Sequence, residues 1–171
     1  LNGSWGYDRD NLDWKSPEIL IQLLIDSVAK GGNVLLNVGP TGRGEFDPRA
    51  RATMASLGEW LRVNGRSIYG ATAEEELTAP VDCRYTRRGN RLYLHVFNWP
   101  MRHIHLEGLG GGKIQYAQLL HDASEIAYSE SDPHQQAQNT TPAGDAGIVT
   151  LSLPIQKPDV LVPVIELFLA D

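Results

Sequence analysis

The run Gly31-Gly32-Asn33-Val34-Leu35-Leu36-Asn37-Val38-Gly39-Pro40-Thr41 constrains this chain more than any other stretch. Val34, Leu35, Leu36 and Val38 make an almost unbroken apolar segment, the pattern of a strand covered on both faces of a parallel sheet. Gly31 and Gly32 close a preceding helix, because the residue after a helix often takes the left-handed conformation that glycine adopts easily. Gly39-Pro40 ends the strand, since proline has no ladder donor and restricts its predecessor. The expected unit is a helix–strand–helix slice of an α/β layer. One parallel strand needs neighbours, and the rest of the chain hardly contains them.

The flanking helices are marked by their starts. Ser16-Pro17-Glu18 supplies an N-cap, a proline at the first helical position and an acid in the first turn. Ile19, Leu20, Leu23, Leu24 and Val28 follow at helical spacing, and Ile21 and Ile25 widen the stripe. Such a helix packs on a sheet and touches a second helix. Asp47-Pro48 opens that second helix, with Ala52, Leu57, Trp60 and Leu61 expected inward and Asn64-Gly65 as its stop. Glu74-Glu75-Glu76 reads as a solvated linker.

From about Pro80 the apolar period falls to two. Val81 to Thr86 alternates, Arg88-Gly89-Asn90 is a hairpin turn, and Leu92 to Phe97 follows. Further strands are expected over His103 to Leu106, Ile114 to Leu120, Glu125 to Tyr128, Ile148 to Leu153 and Val164 to Leu169. About seven short strands separated by turns predict an antiparallel sandwich. Ser129 to Gly147 reads as a long exposed loop.

Composition narrows the function. A formal charge of −6 and the lack of a Lys/Arg run with interleaved aromatics argue against nucleic acid as a partner. The apolar stretches are too short to span a membrane. The single Cys83 excludes an internal disulfide and a cysteine zinc site, and it is expected to be a packed thiol. Gly39 to Gly44 follows a strand but lacks the Gly-Lys-Ser/Thr element of a phosphate loop. His103 and His105 share one strand face, as two metal ligands do; no third ligand is fixed by spacing, and exposed strand histidines are the alternative. No cofactor is expected. Asn139-Thr140-Thr141 is a glycosylation acceptor pattern, meaningful only in a eukaryotic secreted protein. The chain opens on Leu1 without Met or a signal pattern and is expected to be a piece of a longer one.

Three segments carry a resemblance: Ser4-Trp5-Gly6-Tyr7, Lys30 through Pro40, and Asn64-Gly65 with Ile68-Tyr69-Gly70. In order and spacing they resemble the α-L-fucosidases of glycoside hydrolase family 29. Tyr85-Thr86-Arg87-Arg88, Leu92-Tyr93, Phe97-Asn98-Trp99-Pro100, Leu153-Pro154, Pro158-Asp159 and Val164-Ile165-Glu166-Leu167 resemble the β-domain of the same enzymes. The resemblance implies a (β/α)8-like barrel followed by a β-sandwich. Such a barrel needs about 250 residues, whereas one candidate barrel strand is present here. The expected fold is therefore α/β followed by all-β. Residues 1–70 would form the last helix–strand–helix slice of the barrel, and residues 71–171 the C-terminal antiparallel β-sandwich.

The activity implied is that of a retaining exo-glycosidase acting on terminal α-L-fucosyl linkages. One carboxylate is the nucleophile and another the acid/base, about 5 Å apart. By the resemblance both lie upstream of this chain, so no catalytic residue is assigned. Asp8, Asp10 and Asp13 are not made catalytic by the family pattern; loop capping is their alternative role. The substrate-binding residue carried over is Trp5, whose counterpart lines the fucose pocket; a core or loop-anchoring tryptophan is the alternative. Tyr7 and Trp14 are expected to pack. Asn37 and Thr41 lie where barrel enzymes place functional groups, with turn stabilisation as the alternative. Thr41-Gly42-Arg43-Gly44-Glu45 departs from the family's Asp-Gly pair at this point. The implied partners are fucosylated glycans or fucosides, with self-association through the unpaired edges of Asn33 to Val38 as a further expectation. A non-catalytic carbohydrate-binding module, or a self-assembling fragment with a composite site, is the competing function.

Overall fold

The computed structural model describes residues 1–130 and 147–170. The Asn139-Thr140-Thr141 pattern and most of the expected long loop lie outside these residues. Ser129 and Glu130, assigned to that loop from composition, belong instead to a strand.

Helix α1 (Pro17–Ala29) begins where the sequence predicts, the Ser16 hydroxyl accepting from the Ile19 amide. Gly31, at φ 70°, turns the chain out of it, and the Gly32 amide donates back to the Ser27 carbonyl at 2.7 Å. Helix α2 (Pro48–Asn64) is capped by Asp47. Its buried face is Ala50, Thr53, Leu57, Trp60 and Asn64. Ala52, expected inward, is exposed because it falls out of phase with that three-four spacing.

Among the described residues, eight strands make two antiparallel sheets. The first has the order β1 (Thr72–Ala73), β2 (Cys83–Arg88), β3 (Arg91–Val96), β8 (Val164–Leu169), β5 (Ile114–Leu119). The second has the order β4 (His103–Leu106), β7 (Val149–Ser152), β6 (Ala127–Glu130). Alternation sends Cys83, Tyr85, Leu92, Leu94, Val96, Ile165 and Leu167 into one core with Ile104, Leu106, Val149 and Leu151 of the second sheet. Glu74 is not the solvated group its acidic run suggests. Its carboxylate is almost wholly buried, takes the Arg87 guanidinium at 3.0 Å and caps the Glu76 and Leu77 amides. Burial raises its pKa, but those bonds outweigh burial and the net shift is downward.

The other face of the five-stranded sheet is covered by the helices. Ile21, Ile25, Leu57 and Trp60 pack with Tyr93, Leu120, Val162 and Val164, and the Trp60 indole N–H donates to the Val162 carbonyl at 2.9 Å. Both faces of β3 are therefore buried.

The expected strand over Asn33 to Val38 does not form. These residues pair with no other strand among the described residues, and Leu35 is 87% exposed. A strand buried on both faces needs neighbours on each side for its ladder bonds and its packing. Here only Leu36 and Val38 find apolar partners, against Leu1, Leu20, Ala50 and Trp14.

Candidate functional site

The 1–15 loop is held in place by Asn37 and from α2. The Leu1 nitrogen donates to the Asn37 carbonyl at 2.7 Å, and the Asn37 amide donates to the Trp5 carbonyl at 2.6 Å. Asn37 thus fixes the backbone that carries Trp5, a structural role within its turn. Asp47 and Arg49 form a bidentate pair at 2.9 Å on each oxygen. The Arg49 guanidinium also donates to the Asn11 and Arg9 carbonyls and lies 4.7 Å over the Trp14 ring. The Tyr7 hydroxyl donates to Asp47 at 3.3 Å. With the Arg49 side chain and amide both bonded to it, the Asp47 carboxyl is held far below the ordinary carboxylate range. This clamp was not legible in the sequence: Asp47 reads as a cap, and nothing local tells that Arg49 reaches back across the loop. Tyr7 and Trp14 pack and bond within it, as expected of them.

Trp5 itself is 83% exposed. It borders an open cleft of ≈ 400 Å³ whose floor includes Leu20, Leu23, Val34 and Leu36, with Ser4, Asn33 and Asn37 as polar lining. Its backbone is fixed while its indole is free. An aromatic face presented this way suits the apolar C–H face of a sugar, with hydrogen-bonding groups left for the hydroxyl rim.

Gly39 is the close-packed point beneath this loop. A Cβ there would sit 2.6 Å from the Tyr7 nitrogen and 2.7 Å from the Gly6 carbonyl carbon. Both are backbone atoms, so the loop must move. Gly39→Ala is expected to cost about 1–3 kcal/mol and to speed limited proteolysis within residues 1–15; unchanged cleavage would contradict the packing argument.

The acidic residues of the loop are engaged locally. The Asp8 carboxylate accepts from the Asp10 amide at 3.0 Å, Asp10 lies beside Arg9, and the Asp13 amide donates to Asn11. All three aspartates are exposed. The structure does not bring them together with Trp5 as a catalytic pair. Thr41 is a turn residue: its hydroxyl accepts from the Arg43 and Glu45 amides, both at 3.3 Å. His103 and His105 are exposed, and His105 bonds to Thr150 across the strand pair at 2.9 Å. Cys83 is a buried thiol pushed up to about 12, chiefly by burial. No group of three His, Cys, Asp or Glu suited to a metal occurs among the described residues.

A family model described as alpha-L-fucosidase matches residues 1–66. The tissue alpha-L-fucosidase of Homo sapiens is 36% identical over 103 residues, covering 57% of this chain and 22% of the relative. An alpha-L-fucosidase of Branchiostoma floridae is 36% identical over 104 residues, with the same coverage. Alpha-L-fucosidase isoenzyme 1 from Paenibacillus thiaminolyticus superposes over 100% of this chain and 38% of its own, at 37% identity and a TM-score of 0.86. The chain is similar to α-L-fucosidases over its whole described length. A Thermotoga maritima alpha-fucosidase solved in complex with fucose matches 96% of the chain at 27% identity and a TM-score of 0.75. The chain spans 22% of the curated relatives named here and 38% of the Paenibacillus fucosidase. The likeness extends beyond residue 66 through the two sheets, which are thus part of the fucosidase fold as much as the helices are.

Proposed function

We propose that this chain is the C-terminal portion of an α-L-fucosidase that hydrolyses terminal α-L-fucosyl linkages of glycans with retention. On this reading residues 1–70 are the last slice of a (β/α)8-like barrel. Residues 71–171 are an antiparallel β-sandwich that supports the barrel. The observation that carries it is the likeness over the entire chain to a fucosidase at 37% identity. The Thermotoga relative binds fucose, and the same class of ligand fits the exposed indole of Trp5 above its cleft. The segment 33–38 then acquires its missing strand neighbours from the rest of the barrel, which accounts for the exposed Leu35. The two carboxylates of the double displacement would be supplied by that part of the enzyme, and the chain described here would contribute the aromatic wall of the pocket.

The test is hydrolysis of an aryl α-L-fucoside by a polypeptide that joins this chain to the preceding barrel. Trp5→Ala removes about 55 Å² of apolar contact, or about 1.4 kcal/mol at ~25 cal/mol per Å². KM is expected to rise about ten-fold with kcat changed far less, the pattern of lost ground-state binding. An unchanged KM would remove Trp5 from the pocket. The chain alone is expected to release no chromophore.

A further inference from the structure

Three of the chain's four lysines are engaged within the fold. Lys30 pairs with Asp26, Lys113 donates to the Gly108 carbonyl at 2.8 Å, and Lys157 donates to the Leu161 carbonyl at 2.9 Å. The ammonium of Lys15 makes no hydrogen bond or ion pair among the described residues. Lys15 is exposed and lines the same ≈ 400 Å³ cleft as Trp5. Its backbone is fixed on both sides. The Lys15 amide donates to the Leu1 carbonyl at 3.0 Å, and the next residue, Ser16, caps α1. A flexible four-carbon stem therefore carries a point charge from a rigid base in the wall of the cleft.

Nothing in that cleft balances the charge. Among the described residues that line it none is acidic, and Lys15 is the one charged side chain. The aspartates of the same loop, Asp8, Asp10 and Asp13, are not part of the lining. A neutral sugar against Trp5 offers its C–H surface to the ring and its hydroxyls to amides such as Asn33. It leaves the ammonium with nothing of opposite charge. A carboxylate or sulfate on the adjoining sugar meets the ammonium in a charge-assisted hydrogen bond, roughly twice as strong as a neutral one. The net charge of −6 works against an anionic ligand elsewhere on the surface, so a local cation is what admits one here. We infer that Lys15 sets the substrate class of the Trp5 cleft: fucosides whose neighbouring sugar carries a carboxylate or a sulfate. The fucoside carrier rests on the proposed fucosidase reading; the charge preference rests on the cleft alone.

The experiment is isothermal titration of the full chain at low ionic strength with one fucosyl disaccharide in three forms. Its second sugar is neutral, sulfated or carboxylated, and a sulfated disaccharide without fucose is the fourth ligand. Either charged form, or both, is expected to bind about three- to five-fold more tightly than the neutral form, the range of one partly exposed ion pair. The preference should fade as added salt screens it. Lys15→Gln should bind all three fucosyl forms alike, at the parent's affinity for the neutral one. Lys15→Arg, which keeps the charge, and Lys157→Gln, outside the cleft, should retain the preference. Equal affinity for charged and neutral forms, a preference that survives Lys15→Gln, or no saturable binding would each overturn the role of Lys15. If the fucose-free sulfated ligand binds as tightly as its fucosyl counterpart, and only through Lys15, the fucoside carrier is overturned while the anion contact stands. The two readings therefore fail separately.

Discussion

Replacing Trp60 with alanine is expected to lower the stability of the chain by about 3–5 kcal/mol and to loosen both helices together with the sheet. Trp60 is 2% exposed at the seam where α1 and α2 meet the five-stranded sheet. It packs among Ile21, Ile25, Leu57, Tyr93 and Val164, and its indole N–H is the partner of the Val162 carbonyl. Truncation leaves a cavity shared by helix and strand residues, together with a buried carbonyl that has lost its donor. Trp60→Phe restores most of the volume but not the N–H, and should cost about 1–3 kcal/mol, the range for one unsatisfied buried group. Urea denaturation followed by far-ultraviolet and near-ultraviolet circular dichroism separates the outcomes. One coincident transition, shifted in both signals, is the expectation. Two transitions, of which only the helical one moves, would mean that the helices and the sheets are independent and that the seam contributes little.

That seam also marks where sequence reasoning stops. The helix starts at Ser16 and Asp47 were legible because a cap is a local device, satisfied within three residues. The hairpin at Gly89 and the strands at His103 and Val164 were legible because alternation is local too. The two-residue strand Thr72–Ala73 carries no pattern of its own; it exists because the edge of β2 offers Thr86 and Arg87 as partners. The fate of Asn33 to Val38 depends equally on partners, and the apolar run that announces a strand cannot create them. Burial of polar groups was the least legible feature. Period two says that Tyr93, His95 and Glu166 face away from the sheet-to-sheet core, but not that helices and an arginine cover that second face. In the candidate site, Trp5 was singled out through its neighbours in sequence. The groups that position it, Asn37 and the Asp47–Arg49 pair, are 32 to 44 residues away, and only the tertiary fold brings them to the loop.

Stability should fall as the pH drops from about 6.5 toward 4.5, and His95 is the cause. The ring is fully buried on the helix-facing side of β3, 6.5 Å from the Trp60 ring. The Thr86 hydroxyl donates its one proton to the Ser67 carbonyl at 2.7 Å, so it accepts from His95 Nε2 at 2.9 Å. His95 is therefore the neutral Nε2–H tautomer, and its Nδ1 has no partner among the described residues. A second proton would go to that nitrogen, in a dry site with no acceptor, so burial lowers the pKa to about 3. The unfolded chain titrates near 6.5. Between the two values the unfolded state binds the extra proton and the native state does not, so stability rises with pH across that window and is flat above it. The slope can reach about 1.4 kcal/mol per pH unit. The depressed carboxyls of Asp26, Asp47 and Glu74 contribute to the same trend only at lower pH, from the ordinary carboxylate range downward, where the unfolded chain's carboxyls take up protons and these do not. Denaturation midpoints at pH 7, 6 and 5 isolate the histidine. His95→Gln, which keeps a donor toward Thr86 but cannot titrate, should flatten the dependence between pH 6 and 5; a variant with the parent's slope would place the proton on another group.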